Sequence, residues 1–427
     1  MSAEVKLSPV HALGVLRNAP FRRYVIGSLI SDTGSWMQVM AQGWVMATLT
    51  NKAIWLGMAN LAAGLPMLLL TMVGGAAADK YDKRKILLVT QFVQIAIACG
   101  IGFLVLKGKI EIWEILAFAA VLGVSNSFEM PTQSALVPEL VGRAEIQNGI
   151  SIDRSVFHGS RVLGPTMGGY LINWLGTASA FFANALSFIA LIIAILSLPP
   201  RPRGTAEEEE KRASGIKDGF RFVFNDTPSL AMVTLIATQS LCIFPIITVM
   251  MPLYVRTVLH RGADGLGSLM GASAIGSLVG SLFLIGLARE KRVPLMMINA
   301  VAISMVISGL SFAPSFYVVM ALLIVNSFGL AMNFALCSTI VQERAPDYLR
   351  GRVSGVFMLS FVGLMPIAGL GVTSLSDFLG MRTALAIAAI AYGTITLIVL
   401  ARVRKQCAEP GVCEIGTPAA PSAAATV

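Results

Sequence analysis

The chain has 427 residues, of which 56% are hydrophobic and only 13% charged, at a mean hydropathy of +0.76. Soluble chains carry about 25% charged residues, so a water-soluble globular domain is excluded and the relevant solvent is a bilayer. The net charge of +9 does not point to nucleic acid, because Lys and Arg stand in short clusters between apolar runs and not on a basic face with base-reading groups.

The opening residues 1–20 lack the continuous apolar stretch and small-residue cleavage site of a signal peptide, so the first span is expected to act as the insertion signal. Apolar windows long enough to cross the hydrocarbon fall near 24–48, 55–78, 86–106, 113–136, 152–173 and 178–198. Six more follow near 230–254, 264–287, 294–313, 316–339, 353–375 and 382–402, which predicts an all-α membrane protein of about twelve transmembrane helices. Basic residues gather in alternate loops: Arg17, Arg22 and Arg23, then Lys80, Lys83, Arg84 and Lys85, later Arg344, Arg350 and Arg352, and finally Arg402, Arg404 and Lys405. The opposite loops hold few, so both termini are expected on the cytoplasmic side.

Between the sixth and seventh windows, Pro199, Pro200 and Pro202 end a helix and Glu207 to Glu210 form a solvated acidic run. The expected organisation is an N-terminal six-helix bundle over 1–198, a cytoplasmic linker over 199–229, a C-terminal six-helix bundle over 230–402 and a disordered cytoplasmic tail over 403–427. Within the linker, the stretch Gly215 to Phe224 has apolar residues at helical spacing and predicts a short interfacial helix.

The halves match at an offset of two hundred residues: Asn126, Ser127 and Phe128 with Asn326, Ser327 and Phe328, Val156 and Phe157 with Val356 and Phe357, and Gly169 with Gly369. Two related bundles are a transporter architecture. The five cysteines, Cys99, Cys242, Cys337, Cys407 and Cys413, imply no disulfide framework, and no metal site is expected.

After the second window, Gly75, Asp79, Lys80, Lys83, Arg84 and Leu87 resemble the loop signature of the major facilitator superfamily, with Asp82 where that family usually has a second Gly. Gly75 is expected to let neighbouring helices approach, and Asp79 to cap a helix end or pair with a basic group, holding the cytoplasmic side shut. In the fifth window, Ser160, Gly164, Pro165, Gly168 and Gly169 resemble the antiporter motif of the same superfamily, with Ser160 in place of a Gly. The stretches Arg17 to Tyr24 and Gln342 to Gly355 are similar to the branch that contains macrolide and enterobactin exporters. The resemblance implies the major facilitator fold, a transporter and not an enzyme, and export in preference to import. An importer or uniporter on the same scaffold is the first rival, a membrane-embedded enzyme the second.

Asp32, Glu129 and Arg161 are charges inside predicted spans, where each costs roughly 2.5–3.5 kcal/mol on insertion scales. Each lies roughly 12–14 Å deep at 1.5 Å per residue, so the three are expected to share a layer. A Glu129–Arg161 ion pair with Asp32 as a second carboxylate is the simplest arrangement that avoids an isolated charge, and one carboxylate is then a candidate for proton exchange. His158, one turn before Arg161, is a further candidate for a proton path. Gln239, Asn326, Met332, Asn333, Phe328 and Phe334 are the second-half candidates for a pocket lining.

No G-x-x-x-x-G-K-[ST] segment is present, so a proton gradient, with no cofactor, is the expected energy source. The expected partners are a small-molecule substrate, protons and the lipid bilayer, with no nucleic acid, for a chain working as a monomer. A multi-pass protein of the bacterial inner membrane is what the resemblance implies.

Overall fold

The computed structural model describes residues 14–142, 145–198, 216–283, 291–313, 315–346 and 348–406. The described residues are predominantly helical, with no strands among them. A short 3-10 turn over Gly14–Arg17 leads into α1 (Ala19–Leu49), followed by α2 (Ile54–Lys80), α3 (Lys83–Leu106), α4 (Ile112–Val141), α5 (Ile146–Leu175) and α6 (Ala178–Leu196). The second half holds α7 (Ile216–Asn225), α8 (Thr227–Cys242), α9 (Met251–Thr257), α10 (Ala263–Leu282), α11 (Arg292–Phe312), α12 (Phe316–Arg344), α13 (Arg350–Val362), α14 (Met365–Leu379) and α15 (Met381–Gln406).

Ten helices or helix runs among the described residues are long and apolar enough to cross a bilayer. α1 and α5, at 31 and 30 residues, are equally long but carry the polar load: Asp32 and Gln38 on one, Arg154, His158 and Arg161 on the other. Together these make the twelve spans expected. The seventh and eleventh are each interrupted. Thr227–Thr257 passes from α8 through a π-helical stretch, Ile246–Met250, into α9, and Arg350–Leu379 breaks between α13 and α14 at Gly363. Pro245 removes an amide that would close the preceding turn, and Pro366 does the same after the second break.

Two compact units form by contact. The first takes in the described residues of 1–51, 58–209 and 252–271. Here α1 lies along α5 and α6, and α3 against α4 and α6, around Phe21, Tyr24, Leu87, Leu136, Leu191 and Ile195. Asn18 starts α1: its side-chain Oδ1 accepts from the Phe21 amide at 3.4 Å, its Nδ2 donates to the Leu140 carbonyl at 2.8 Å, and Pro20 sits in the first turn, where its missing amide costs nothing.

The second unit takes in the described residues of 52–57, 210–251 and 272–427. α11 lies along α15, and α8 packs on α12, α13 and α15 around Met232, Ile236, Met296, Leu336, Val353 and Leu400. α7 is the short helix expected after the linker; it rests on α13, with Arg352 Nη1 2.6 Å from Asp218 Oδ2 and Val223 buried. Linker residues 199–215 and the tail beyond 406, with Cys407 and Cys413, lie outside the described residues.

Candidate functional site

The charged residues of the first unit come together differently from the expected ion pair. Glu129, on α4 and 9% exposed, is surrounded by amides. Gln91 Nε2 donates to Oε1 at 2.7 Å, Gln133 Nε2 donates to Oε1 at 2.9 Å, and Gln94 Nε2 donates to Oε2. Gln91 and Gln94 stand three apart on α3, and Glu129 and Gln133 four apart on α4, so helical periodicity brings two donors from α3 and one from α4 to the carboxyl group. Gln94 extends the network to Ser125 Oγ at 3.2 Å and Asn126 Oδ1 at 3.3 Å.

Among the described residues no ion pair joins Arg161 to Glu129 or Asp32, which corrects the expected pairing. The Arg161 guanidinium instead lies over the Trp36 ring, 5.5 Å from its centroid. The physical reason is that amide dipoles can satisfy a buried carboxylate, and a π face can receive a guanidinium, without either charge meeting the other. Trp36 packs edge-on to Phe157 at 5.8 Å, and exposed His158 meets the same ring at 5.7 Å. Asp32, half-buried one turn before Trp36, receives a single hydrogen bond, from Ser28 Oγ at 3.2 Å. Arg161 thus belongs to the Trp36–Phe157 aromatic cluster, and Glu129 to a glutamine cradle.

The loop between α2 and α3 anchors to other helices. Lys83 pairs with Glu139 on α4 at 2.9 Å, and Arg84 Nη2 donates to the Leu196 carbonyl at the end of α6 at 3.3 Å. Asp82, the departure from the family pattern, caps α3 by accepting from the Arg84 amide at 2.9 Å. Asp79 sits exposed in the last turn of α2. The close approach expected at Gly75 is made by its neighbour: a Cβ on Gly75 would meet open space, whereas one on Gly74 would collide with the Ser127 carbonyl of α4. One residue turns a helix by about 100°, so adjacent glycines face different neighbours.

In α5, Ser160 Oγ donates to the Leu29 carbonyl at 3.3 Å and accepts from Thr33 Oγ1 at 3.3 Å. A Cβ on Gly164 would stand 2.5 Å from the Thr33 carbonyl, and one on Gly168 2.6 Å from Met37 Cγ. These residues therefore bring α5 onto α1 at backbone distance. Gly169 faces the start of α10, where a Cβ would stand 2.6 Å from the Ala263 carbonyl and 3.1 Å from Gly267 Cα, and the carbonyl of Pro165 also abuts Gly267.

In the second unit the two helix breaks meet. Ser240 Oγ donates at 2.6 Å to the Phe361 carbonyl, one of the oxygens left over where α13 ends. Phe361 touches Phe244 at 5.1 Å and Phe334 at 5.0 Å, and Phe334 touches Phe357 at 5.3 Å, all edge-to-face. Gln239 donates to the Leu330 carbonyl at 3.2 Å while its own oxygen has no partner, and Asn333 donates to Tyr392 Oη at 2.9 Å. Fully buried Asn326 has both amide atoms unsatisfied among the described residues. Met332 is buried, and Phe328 packs on Phe283 at 5.4 Å. Of the six second-half candidates, then, Gln239 and Phe334 belong to the double break. Phe244, Phe361 and Ser240 were missed there, although Pro245 and Gly363 signalled the interruptions.

Among the described residues no group of three or more His, Cys, Asp or Glu is arranged to hold a metal. Comparison with known proteins gives the same fold and a narrower family. The nucleoside transporter NupG superposes at a TM-score of 0.69 with 15% identity over 90% of this chain and 98% of its own. A bacterial homologue of the human lysosomal transporter Spinster does so at 0.70 with 11% identity over 95% and 100%. In sequence, the multidrug efflux pump Tap of Mycolicibacterium fortuitum is 25% identical over 80% of this chain and 85% of its own length. The staphyloferrin A transporter of Staphylococcus aureus is 24% identical over 87% and 93%, and the enterobactin exporter EntS of Citrobacter koseri 25% over 84% and 87%. Residues 10–411 match the family described as transmembrane secretion effector. With that match spanning nearly the whole sequence and the fold agreeing, the chain is a membrane transporter that belongs to the transmembrane secretion effector family of the major facilitator superfamily.

Proposed function

We propose that the protein exports a small organic molecule across the bacterial inner membrane in exchange for inward-moving protons, by alternating access of two six-helix bundles over 1–198 and 230–402. Both termini then face the cytoplasm, the chain works as a monomer, and the loop of Asp79, Lys83 and Arg84 serves as a cytoplasmic gate. The observation that carries the proton part is the contrast between the two acids of the first unit. Glu129 has both carboxyl oxygens satisfied by three amide donors, whereas Asp32, among the described residues, has a single hydroxyl donor and no cation bonded to it, and Arg161 is turned onto Trp36. Asp32 is therefore the carboxyl group that takes and releases the proton, and Glu129 the fixed one. Export direction is supported by relatives such as the efflux pump Tap and the enterobactin exporter EntS.

The test is dequenching of a pH-sensitive dye in inverted vesicles energised by respiration, with candidate drugs and siderophores added in turn. Substrate-dependent proton release that Asp32→Asn abolishes and Glu129→Gln only weakens supports the assignment. Equal proton release by Asp32→Asn and the parent overturns it. Substrate uptake by these vesicles with no proton signal makes the protein a uniporter.

A further inference from the structure

The structure assigns Asp377 as a positioning residue that clasps the first turn of α2 onto α14, and we propose that releasing this clasp is a step of the transport cycle. The step rests on the transporter reading above; the clasp itself does not. Asp377 lies in the last turn of α14, and its two carboxylate oxygens accept from two successive amides at the start of α2. Ala53 N donates to Oδ1 at 2.7 Å and Ile54 N to Oδ2 at 2.9 Å. These amides have no acceptor within their own helix, and the positive end of the helix dipole points at the acid.

Packing beneath the clasp is equally specific. A Cβ on Gly57 would stand 3.0 Å from the Gly369 carbonyl and collide with Thr373 Oγ1, so this turn rests directly on the α14 backbone, and Ala53 is completely buried. Residues 52–57 accordingly group with the second unit, whereas α2 from Met58 onward groups with the first. Any motion that carries the rest of α2 away from α14 must therefore break the two Asp377 bonds or unwind the turn between Gly57 and Met58.

The repeat makes the clasp informative. Gly369 corresponds to Gly169, which receives the first turns of α10 at Ala263 and Gly267 in the same backbone-to-backbone manner. Eight residues beyond Gly169, as Asp377 is beyond Gly369, stands Thr177, already past the end of α5 at Leu175, and the last turn of α5 holds no acid. Both places have the glycine packing; only the one on α14 has an acid. Packing alone therefore suffices to dock a helix start in this fold, and the acid adds a directional hold at one of two related places.

Two measurements test this. In detergent, without substrate, deuterium uptake is followed in the peptide covering 50–58 and in a reference peptide covering 263–271. In Asp377→Asn the first is expected to exchange about tenfold faster, as the charge-assisted bonds are lost, while the second is unchanged. Gly57→Ala, which lifts the turn without touching the acid, is expected to do the same, and Asp377→Glu to stay near the parent. No change in the 50–58 peptide of Asp377→Asn, or equal acceleration in both peptides, overturns the clasp. For the transport step, an Ala53→Cys, Asp377→Cys pair is oxidised in vesicles moving an identified substrate. Transport that stops on oxidation and returns with a reductant is expected; undiminished transport by fully crosslinked protein overturns release as a step. Failure to find any substrate counts against the transporter mechanism and leaves the exchange result standing.

Discussion

Gln91 and Glu129 face each other between α3 and α4, amide nitrogen to carboxylate oxygen at 2.7 Å, and this bond replaces the cation that a buried acid ordinarily requires. Because Gln94 and Gln133 complete the cradle, removing one donor leaves a buried carboxyl group short of a partner. Gln91→Leu is expected to cost about 1–3 kcal/mol, read as a lower unfolding temperature of the purified protein. Glu129→Leu with Gln91→Leu and Gln94→Leu, which removes the acceptor together with both donors of α3, is expected to cost less than the sum of the single changes. Additive losses would show that the cradle does not act as a network.

The neighbouring glycines of α2 give a sharp contrast. Gly74→Ala is expected to destabilise by about 1–3 kcal/mol, since its Cβ would strike the Ser127 carbonyl, whereas Gly75→Ala meets nothing and is expected to be neutral or stabilising by up to about 1 kcal/mol from helix propensity. Unfolding temperatures of the two variants check the order. Reversal would place the helix contact where the sequence pattern alone puts it.

Asp226 and Arg344 form a forked ion pair at the start of α8, Nη2 to Oδ1 at 2.6 Å and Nε to Oδ2 at 2.7 Å, with side chains 10% and 7% exposed. Burial pushes the Asp226 carboxyl up, but the bonds from Arg344 and from Ser229 outweigh it and hold it below the ordinary aspartate range. A depressed acid contributes stability that is fully present above its unfolded pKa of about 4 and lost as pH falls through the lower folded value. Arg344→Ala is therefore expected to cost about 3–5 kcal/mol at neutral pH, and the gap from the parent to shrink only below about pH 4. Unfolding curves of both proteins between neutral and acid pH check this, and a gap independent of pH down to full acid unfolding would refute it.

Ser240 bridges the two interrupted spans through the Phe361 carbonyl. Ser240→Ala leaves that carbonyl without this donor and is expected to cost about 1–3 kcal/mol, with a larger effect on transport than Ser304→Ala, whose hydroxyl donates only within its own helix to the Ala300 carbonyl. Parallel stability and transport assays of the two variants decide it.

Much of this architecture was legible in the sequence because a bilayer imposes long apolar runs, and all twelve windows became helices or helix runs. The α5 motif was legible for a similar reason: glycines one turn apart have few uses other than close helix contact, and Gly164 and Gly169 meet backbone while Gly168 meets the Met37 and Met40 side chains. Side-chain partners were not legible. Depth along a span placed Asp32, Glu129 and Arg161 in one layer, but depth says nothing of which way a helix is turned, and the turn of α3 gave Glu129 to glutamines. Gln91 and Gln94, three residues apart in an otherwise apolar helix, were the available signal. Asp82, which stands where the family usually has a second Gly, works as a helix cap. The interruptions at Pro245 and Gly363 were hidden because hydropathy averages over a window longer than a single turn.

The π-helical stretch Ile246–Met250 has a geometric consequence for the seventh span. An uninterrupted helix advances about 100° per residue, and a π turn accommodates one residue more than an α turn. The side chains of α9 are therefore rotated in phase by about one residue's worth relative to those of α8, so the two ends of one span present faces that no single helical wheel predicts. If the wide turn moved along the span by one turn, the residues it passed would each swing through that angle while both ends of the span stayed where they are. A polytopic transporter that must exchange one set of exposed side chains for another has, in that single extra residue, a way to do so by rotation without translation.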